Sequence, residues 1–292
     1  MIVLGDRNNY LLFDSYDAFN RFMSRKTNPV VEDAVEYCRM EKYPVSRILF
    51  TAEHDKTEKV PLKEISDTAY AGMGDTNTGT LAKIGAYYLR TAYLIPNFVR
   101  TDADPSRPPE DLGRGLRLFV KQKRTGNYPV SVLIHKKTSM MPKLMRYHEV
   151  IEQMNPKFVL SVHGVSEKRE QDIIFGFGKE YNYIGGKKEA FRFRDEFSQE
   201  LDRAYNSIGI TANLNIEVST WRFLGHKNYV LSNHVTDHNL RSDEKRMGIQ
   251  VEFNLKGRVS KHDEKLPTIP YQMAIQVLGD FVYKWNNSKN GQ

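Results

Sequence analysis

Short apolar runs typical of buried strands alternate along this chain with longer amphipathic segments typical of helices, and this alternation restricts the fold more than any other feature. We predict strands at residues 46–51, 97–101, 130–134, 158–162, 172–177, 212–218 and 248–255. We predict helices at residues 79–93, 142–154, 187–207 and 271–285. The strand at 172–177 is expected to lie beside the strand at 158–162. Because strands that alternate with helices form layered folds, the chain is predicted to be an α/β sandwich.

Two segments near the end of the chain have a clear periodicity. Residues 248–255 alternate between an apolar face and a polar face that contains Gln250 and Glu252. Residues 271–285 carry apolar side chains at helical spacing, which is typical of a helix that packs on a sheet. No Ser/Gly-rich linker divides the chain. We therefore predict a single domain over residues 1–292, with residues 1–45 as an N-terminal extension packed on the main body.

The composition is that of a globular protein with a sizeable core. Hydrophobic residues make up 40% of the 292 residues, and no apolar run approaches the roughly 18 residues of a membrane span. The N-terminus lacks the pattern of a secretory signal, and the single Cys38 cannot form an internal disulfide. These features lead us to expect a cytoplasmic protein without a membrane partner.

The chain is moderately basic, with 43 Lys and Arg residues against 36 Asp and Glu residues and a net charge of +7. Its basic clusters lie at residues 114–124, 136–146 and 187–194. No zinc-finger spacing, RNP-like aromatic motif or long basic helix accompanies them. The clusters therefore favour a solvated surface over a nucleic-acid interface.

Acid, base and imidazole groups are concentrated in three stretches far apart in the sequence: residues 51–58, 161–164 and 248–253. Each stretch follows or lies in a predicted strand, and α/β enzymes gather their functional groups around the carboxyl ends of such strands. Two histidines and a carboxylate can hold one zinc ion with a position left open, and a further glutamate can then activate a water. The pattern predicts a metal-dependent hydrolase.

An ordered series of motifs resembles the N-formylglutamate amidohydrolase family. The centre of the series is a Tyr-His pair, a helix, an apolar strand that ends in His163, and a run that begins at Asp172. The full series occurs in family order over about residues 45–260, at positions 51–61, 100–108, 146–149, 158–164, 172–176 and 248–253. The resemblance implies the fold of the zinc carboxypeptidases, a three-layer α/β/α sandwich with a mixed, mostly parallel sheet. It also implies one zinc ion and a small acidic amide as the substrate, either an N-acyl amino acid or a γ-glutamyl compound.

The resemblance assigns a role to several residues. His54, Glu58 and His163 are expected to bind the zinc ion, with Glu53 or Asp55 as alternatives to Glu58. Glu252 is expected to take a proton from the water and return it to the leaving amine.

Arginine and histidine side chains elsewhere in the series are expected to bind the substrate. Arg107 and Arg169 are candidates to clamp a carboxylate or to polarise the scissile carbonyl. His148 is expected either to contact the substrate region or to pack within its helix. Asp172 is a candidate to hydrogen-bond a ligand histidine.

The chain departs from the family pattern at three points. Glu53-His54-Asp55 stands where the family has Pro-His-Ser, Ser161 stands where it has Asp, and Ser106 stands where it has Asn. These departures leave two alternatives open. One is a non-catalytic or nucleic-acid-associated protein on the same scaffold, and the other is a peptidase of the same metal class.

Overall fold

The computed structural model describes residues 2–4, 10–56, 58–61, 70–121, 129–220 and 223–290. Its strands are β1 (Ile2–Leu4), β2 (Tyr10–Leu12), β3 (Val30–Val31), β4 (Val35–Arg39), β5 (Ile48–Thr51), β6 (Glu58–Pro61), β7 (Tyr70–Met73), β8 (Ala92–Pro96), β9 (Leu116–Lys121), β10 (Pro129–Ile134), β11 (Phe158–Val165), β12 (Ile173–Gly176), β13 (Ile216–Val218) and β14 (Met247–Asn254). Its α-helices are α1 (Tyr16–Lys26), α2 (Tyr43–Ser46), α3 (Thr78–Leu89), α4 (Met141–Met154), α5 (Lys187–Ser207), α6 (Tyr229–Leu231), α7 (His238–Arg241), α8 (Leu255–Arg258) and α9 (Ile269–Asn290). None of these helices is both long enough and apolar enough to cross a membrane.

One mixed sheet organises the fold. Within the described residues it has eight strands in the order β13-β12-β14-β11-β5-β8-β4-β3. The four central strands, β14, β11, β5 and β8, are parallel to one another. Strand β12 is antiparallel to β14, and β4 is antiparallel to β8. The predicted mixed sheet with a parallel centre is therefore confirmed.

Helices cover both faces of this sheet. On one face, α3, α5 and α9 pack against side chains such as Phe50, Leu160 and Val251 in a large buried cluster. On the other face, α4 packs against the alternate residues of the same strands, including Leu49 and Val159, in a second cluster. Because successive strand residues point to opposite faces, the central strands are buried on both sides and are mostly apolar, although β11 and β14 also carry buried polar side chains. The three-layer α/β/α prediction is confirmed.

The prediction that the strand at 172–177 lies beside the strand at 158–162 is wrong. Strand β14 lies between β11 and β12, and it is parallel to the first and antiparallel to the second. The sequence order is misleading here because β14 is formed some seventy residues later and enters the sheet between two earlier strands. This insertion places Gln250 and Glu252 directly beside β11.

The segment at 97–101 is a loop and not a strand. The observed strand, β8, ends at Pro96, before the predicted segment begins. The residues that follow form a turn, in which Asp102 N and Ala103 N donate to Val99 O at 3.0 and 3.2 Å. All five residues of β8 are buried, so the apolar signal belongs to the residues before Pro96. The loop after β8 carries a run of charged residues to the carboxyl end of the parallel strands. The strand predicted at 130–134 forms as β10, but it pairs with β9 in a separate hairpin.

The N-terminal segment is partly built into the sheet. Strands β3 and β4 form one edge of it, while β2 packs on α9 through the Gln276 and Gln272 side chains. Oε1 of Gln276 accepts from Leu11 N at 2.7 Å, and Oε1 of Gln272 accepts from Phe13 N at 2.8 Å. The described part of residues 1–45 hydrogen-bonds to α9 and contributes two strands at one side of the sheet.

Candidate metal centre

Parallel pairing brings polar side chains from three strands to one point. Ser161 of β11 lies between Thr51 of β5 and Gln250 of β14, and His163 lies beside Glu252. These residues occupy the face of the sheet that α4 covers, at the carboxyl ends of the strands, where the apolar pattern of Leu49 and Val159 gives way to polar side chains. All of them are buried. Buried polar groups require partners, so this cluster is a candidate functional site and not a solvated surface.

Two histidines and one aspartate converge at the mouth of this cluster. Oδ2 of Asp75 lies 3.3 Å from Nδ1 of His54 and 3.3 Å from Nδ1 of His163. The two imidazole rings are edge to face, with centroids 4.8 Å apart. The ligand atoms of the three residues all lie within 4.8 Å of one another, and all three residues are buried.

Asp75 reaches this position through a chain excursion that starts at His54. Asp75 N donates to His54 O at 2.6 Å, so the chain returns to its starting point after the hairpin of β6 and β7. Asn77 then takes a left-handed conformation, with φ of 64°, and α3 begins at Thr78. The aspartate is therefore placed between the end of a hairpin and the start of a buried helix.

The outer nitrogen of His54 faces a buried carboxylate. Nε2 of His54 lies 2.7 Å from Oδ1 of Asp104 and 2.7 Å from Oγ of Ser106. Asp104 is also paired with Arg100 at 3.2 Å and with Lys136 at 3.8 Å. Although burial raises the pKa of the Asp104 carboxyl, the charges of His54 and Arg100 hold that pKa well below its usual range. An ionised carboxylate only accepts hydrogen bonds, and Asp104 lies closer to the His54 ring than Asp75 does, so a ring with one proton would carry that proton on Nε2.

This assignment leaves a bare nitrogen lone pair facing a carboxylate oxygen. With its proton on Nε2, neutral His54 presents the unprotonated Nδ1 to Oδ2 of Asp75. Two acceptors at 3.3 Å repel each other unless a cation is held between them. A proton or a metal ion satisfies this condition, and two imidazoles with one carboxylate form a donor set that zinc favours. The residues present therefore fit a metal ion.

His163 has a comparable but less charged surrounding. Its Nε2 lies 3.2 Å from Oε2 of Glu53 and 3.1 Å from Nδ2 of Asn228. The other oxygen of Glu53 accepts from Thr51 Oγ1 at 2.9 Å and from Ser161 Oγ at 2.8 Å. Burial raises the pKa of the Glu53 carboxyl, but the nearby His163 lowers it by more, so the net shift of the pKa is downward.

Glu252 differs from Glu53, Asp75 and Asp104 in the direction in which its pKa is shifted. Burial raises its pKa, and the negative charge of Asp75 adds to this effect, while His163 opposes it. Oε1 of Glu252 accepts from Gln250 Nε2 at 2.5 Å. A carboxyl group with a raised pKa beside a metal-type cluster has the properties of a general base and acid.

These residues line one cleft with a volume of about 280 Å³. His54, Asp75, His163 and Glu252 form part of its wall. Its rim carries cationic or basic side chains, among them Arg100, Arg107, His226 and Lys227. The cleft therefore combines a group of two histidines and an aspartate that could hold a metal ion, a buried carboxyl group and several basic side chains.

Four of the residues predicted from the sequence meet at this cleft: His54, His163, Glu252 and Arg107. Their roles as ligands, base and clamp stay predictions. Glu58 is on β6, and its side chain lies outside the part of the structure that is described. Of its two alternatives, Glu53 lies against His163, while Asp55 accepts from Gly79 N at 2.6 Å at the start of α3.

Three other predicted residues lie elsewhere. Arg169 lines a separate pocket, where its guanidinium group stacks 5.4 Å from the Phe223 ring. The structure does not bring Asp172 to a histidine. It accepts from Asn215 N at 2.8 Å and from Tyr271 Oη at 3.2 Å, so it connects a loop to α9.

His148 is packed inside its helix and is not part of the cleft wall. Its Nδ1 lies 3.0 Å from Nε2 of His234, whose Nδ1 lies 2.5 Å from Oε1 of Glu152. Nε2 of His148 is buried without a hydrogen-bond partner among the described residues. Burial and the adjacent His234 lower the pKa of His148 to about 3, and burial also lowers the pKa of His234. Of the two expectations for His148, contact with the substrate region or packing within its helix, the structure agrees with packing.

Sequence reasoning missed Asp75, Asp104 and Asn228. Asp104 lies in the segment 100–108 that was singled out as a motif, and its spacing to Arg107 was the available signal. Asp75 lies outside every motif, since its position depends on the closure of the hairpin that precedes it. Asn228 caps α6, where its Oδ1 accepts from Val230 N, and its Nδ2 reaches Ser161 and Gln250.

Comparisons with known proteins identify the fold. No protein-family model and no curated protein matches the sequence. The crystal structure of N-formylglutamate amidohydrolase from Ralstonia eutropha aligns with a TM-score of 0.55 at 10% identity, over 89% of this chain and 100% of that chain. A metallo-carboxypeptidase from Burkholderia cenocepacia aligns with a TM-score of 0.47 at 9% identity, over 95% of this chain and 70% of that chain. A bacteriophage poly-γ-glutamate hydrolase aligns with a TM-score of 0.43 at 11% identity, over 94% and 98%. The first of these similarities shows that the chain has the fold of an N-formylglutamate amidohydrolase.

The buried histidine pair predicts a loss of stability in acid. The pKa of folded His148, about 3, lies below the value of about 6.5 in an unfolded chain, so the unfolded state binds more protons below pH 6.5. The contribution of His148 to the free energy of unfolding should therefore be highest above about pH 6.5 and should fall toward pH 3, by up to about 1.4 kcal/mol per pH unit. Urea unfolding in a chelating buffer between pH 5 and 7 measures this dependence.

The His148→Phe variant should flatten the pH dependence relative to the unchanged protein, because it removes one of the groups that must take up a proton. The matched control is His135→Gln, which changes an exposed histidine and should leave the slope as it was. Parallel curves for His148→Phe and the unchanged protein would show that the buried pair does not carry the effect.

Proposed function

We propose that this chain is a zinc-dependent amidohydrolase that cleaves the amide bond of a small, acidic N-acyl amino acid or γ-glutamyl compound. The observation that carries the proposal is the convergence of His54 Nδ1 and His163 Nδ1 on Oδ2 of Asp75, at 3.3 Å each, in the wall of a cleft that also contains Glu252. The ordered motif series and the fold agree with this function.

His54, His163 and Asp75 would hold the metal ion. Three protein ligands leave a fourth position open, as in the catalytic sites of zinc hydrolases. When bound in such a site, zinc polarises a carbonyl oxygen and lowers the pKa of a water. Asp104 keeps the His54 proton on Nε2 and so keeps Nδ1 available for binding.

Glu252 would move the proton during the reaction. Gln250 holds Oε1 of Glu252 at 2.5 Å, so we assign Oε2 to the proton of the attacking water. Burial raises the pKa of this carboxyl toward the range in which it can both accept a proton and release it to the leaving nitrogen. Glu252 is the direct register partner of His163 in the parallel pair of β14 and β11, so it lies on a rigid element beside the ligands.

The rim of the cleft would recognise a negatively charged substrate. Arg107 and Lys227 line the cleft and are partly or fully exposed to it, and a guanidinium group suits bidentate binding of a carboxylate. Arg100 is already paired with the buried Asp104, so Arg107 is the better candidate for the substrate. The small volume of the cleft, about 280 Å³, favours a small molecule or a single residue at a chain end.

The Asp75→Asn variant should lose zinc, because an amide oxygen lacks the negative charge that balances the ion. Metal-free protein titrated with zinc should bind one equivalent. The variant should bind zinc more than about 100-fold more weakly, a larger loss than the roughly 10- to 100-fold loss typical of changing a residue that only hydrogen-bonds a metal ligand. The matched control is Glu58→Gln, which changes the carboxylate expected from the sequence. Retention of zinc by Asp75→Asn together with loss by Glu58→Gln would reverse the ligand assignment.

The Glu252→Gln variant should lower kcat by about 10²- to 10⁴-fold, the contribution usual for a positioned acid or base. The amide keeps the hydrogen bond to Gln250 but cannot take a proton, so zinc content should stay near one equivalent. Hydrolysis of N-formyl-L-glutamate, followed by the release of formate, measures the rate. Undiminished kcat with zinc in place would remove Glu252 from the reaction.

The Arg107→Met variant should raise KM for N-formyl-L-glutamate by about 10-fold or more, because a charge-assisted contact to a carboxylate contributes about 1.5–3 kcal/mol. A substrate with the side-chain carboxylate replaced by an amide should be affected less. Arg169→Met is the matched control, since Arg169 lines a different pocket, and its KM should not change. An equal effect of both variants, or an effect of Arg169→Met alone, would contradict the assignment of the rim.

A further inference from the structure

Glu53 is a buried carboxylate that no assigned role uses. It follows β5 directly, adjacent to His54, and only 1% of it is exposed. Its Oε1 accepts from two hydroxyl groups, those of Thr51 and Ser161. Its Oε2 has no aligned hydrogen-bond donor among the described residues, yet it lies 3.2 Å from Nε2 of His163. A charged oxygen is costly to bury without a hydrogen-bond donor. The nearest candidate donor is Nε2 of His163, which would donate to Glu53 when a ligand is bound at the other ring nitrogen.

We propose that Glu53 is the positioning residue of His163. In this arrangement Oε2 of Glu53 accepts the proton on Nε2 of His163, which leaves Nδ1 of that ring free to bind the metal ion beside Asp75. The inference rests on the proposed metal-dependent function. It assigns the second histidine a carboxylate that corresponds to Asp104 behind the first histidine.

Both histidines use the same two ring nitrogens for the same kinds of partner. Each histidine directs Nδ1 to Oδ2 of Asp75 and Nε2 to a buried carboxylate, Asp104 for His54 and Glu53 for His163. A carboxylate behind a ligand histidine fixes the tautomer, orients the ring and makes the ligand nitrogen more basic. Asn228 Nδ2, the other neighbour of His163 Nε2, is already directed at Ser161 Oγ and Gln250 Oε1.

Two departures noted in the sequence are in contact here. Residue 53 is Glu where the resembled family has Pro, and residue 161 is Ser where it has Asp. In the structure, the Ser161 hydroxyl donates to Glu53 at 2.8 Å across the parallel pair β5 and β11. The carboxylate thus reaches the space behind His163 from the neighbouring strand, and a serine at 161 is small enough to admit it and able to hydrogen-bond it.

The test compares Glu53→Gln with Asp55→Asn in the full chain. Both variants remove the charge of a carboxylate just after β5, but Asp55 accepts from Gly79 N and contacts no histidine among the described residues. Zinc affinity is measured by chelator competition, and the melting temperature is measured on metal-free protein. Glu53→Gln should weaken zinc binding by about 10- to 100-fold. Its metal-free form should melt at the same temperature or higher, because the variant removes a buried charge. Asp55→Asn should leave zinc affinity within about twofold.

A spectroscopic signature separates positioning from packing. In zinc-loaded protein the Nε2 proton of His163 should give a downfield imidazole resonance that is absent in His163→Ala and moves upfield in Glu53→Gln. Ser161→Ala, which removes one hydroxyl from Glu53 and keeps the charge, should weaken zinc binding less than Glu53→Gln does. This variant keeps the test valid if Glu53→Gln does not fold.

The outcomes distinguish the two proposals. If the unchanged protein binds no zinc, the proposed function fails. If it binds one equivalent and Glu53→Gln binds with equal affinity and an unmoved resonance, the role of Glu53 is wrong and the function stands. If Glu53→Gln lowers only the melting temperature of the metal-free form, Glu53 is a packing residue and the inference is overturned.

Discussion

Buried negative charge at one end of the sheet is the constraint on which this structure depends. Glu53, Asp75, Asp104 and Glu252 are all buried within the cluster at the carboxyl ends of β5, β11 and β14. Arg100 and Lys136 pair with Asp104, and the buried Arg258 interacts electrostatically with Asp75 and Glu252. Since an uncompensated buried charge is strongly destabilising, such a cluster persists only if it takes up positive charge. This need for positive charge supports the proposal that the cluster binds a cation.

The sheet supplies the rigidity that this cluster needs. Each central strand carries core residues on both faces for its first part and changes to polar residues only where it ends on the α4 face, as Leu49 is followed by Thr51 and Val159 by Ser161 and His163. The antiparallel neighbour β12 then covers the far side of β14, beside Glu252. Functional groups built on strands packed at this density are held more precisely than groups on loops.

Part of the sheet, including β5, β11 and β14, was predictable from the sequence, and so were three residues of the cleft wall, because a residue on or just after a recognised strand has a defined position. His54, His163 and Glu252 belong to this group, and so does the layered fold. The position of Asp75 was not predictable, since it depends on a backbone hydrogen bond to His54 that closes a hairpin of about twenty residues. The same limit applies to strand order. Periodicity places β12 and β14 in a sheet, but only packing decides that β14 lies between β11 and β12.

The two carboxylates behind the histidines are not equivalent, and the difference affects how the site responds to its ligand. The charge of Asp104 is largely balanced by Arg100 and Lys136, whether or not His54 binds a metal ion. Among the described residues, the partners of Glu53 are two hydroxyl groups and the ring of His163, and neutral hydrogen bonds leave its charge in place. In a poorly screened interior that charge acts directly on His163 and on any cation bound beside it. In the proposed metal site, the His163 side would therefore contribute more to the attraction for a metal ion, and the His54 side would contribute more to fixed geometry.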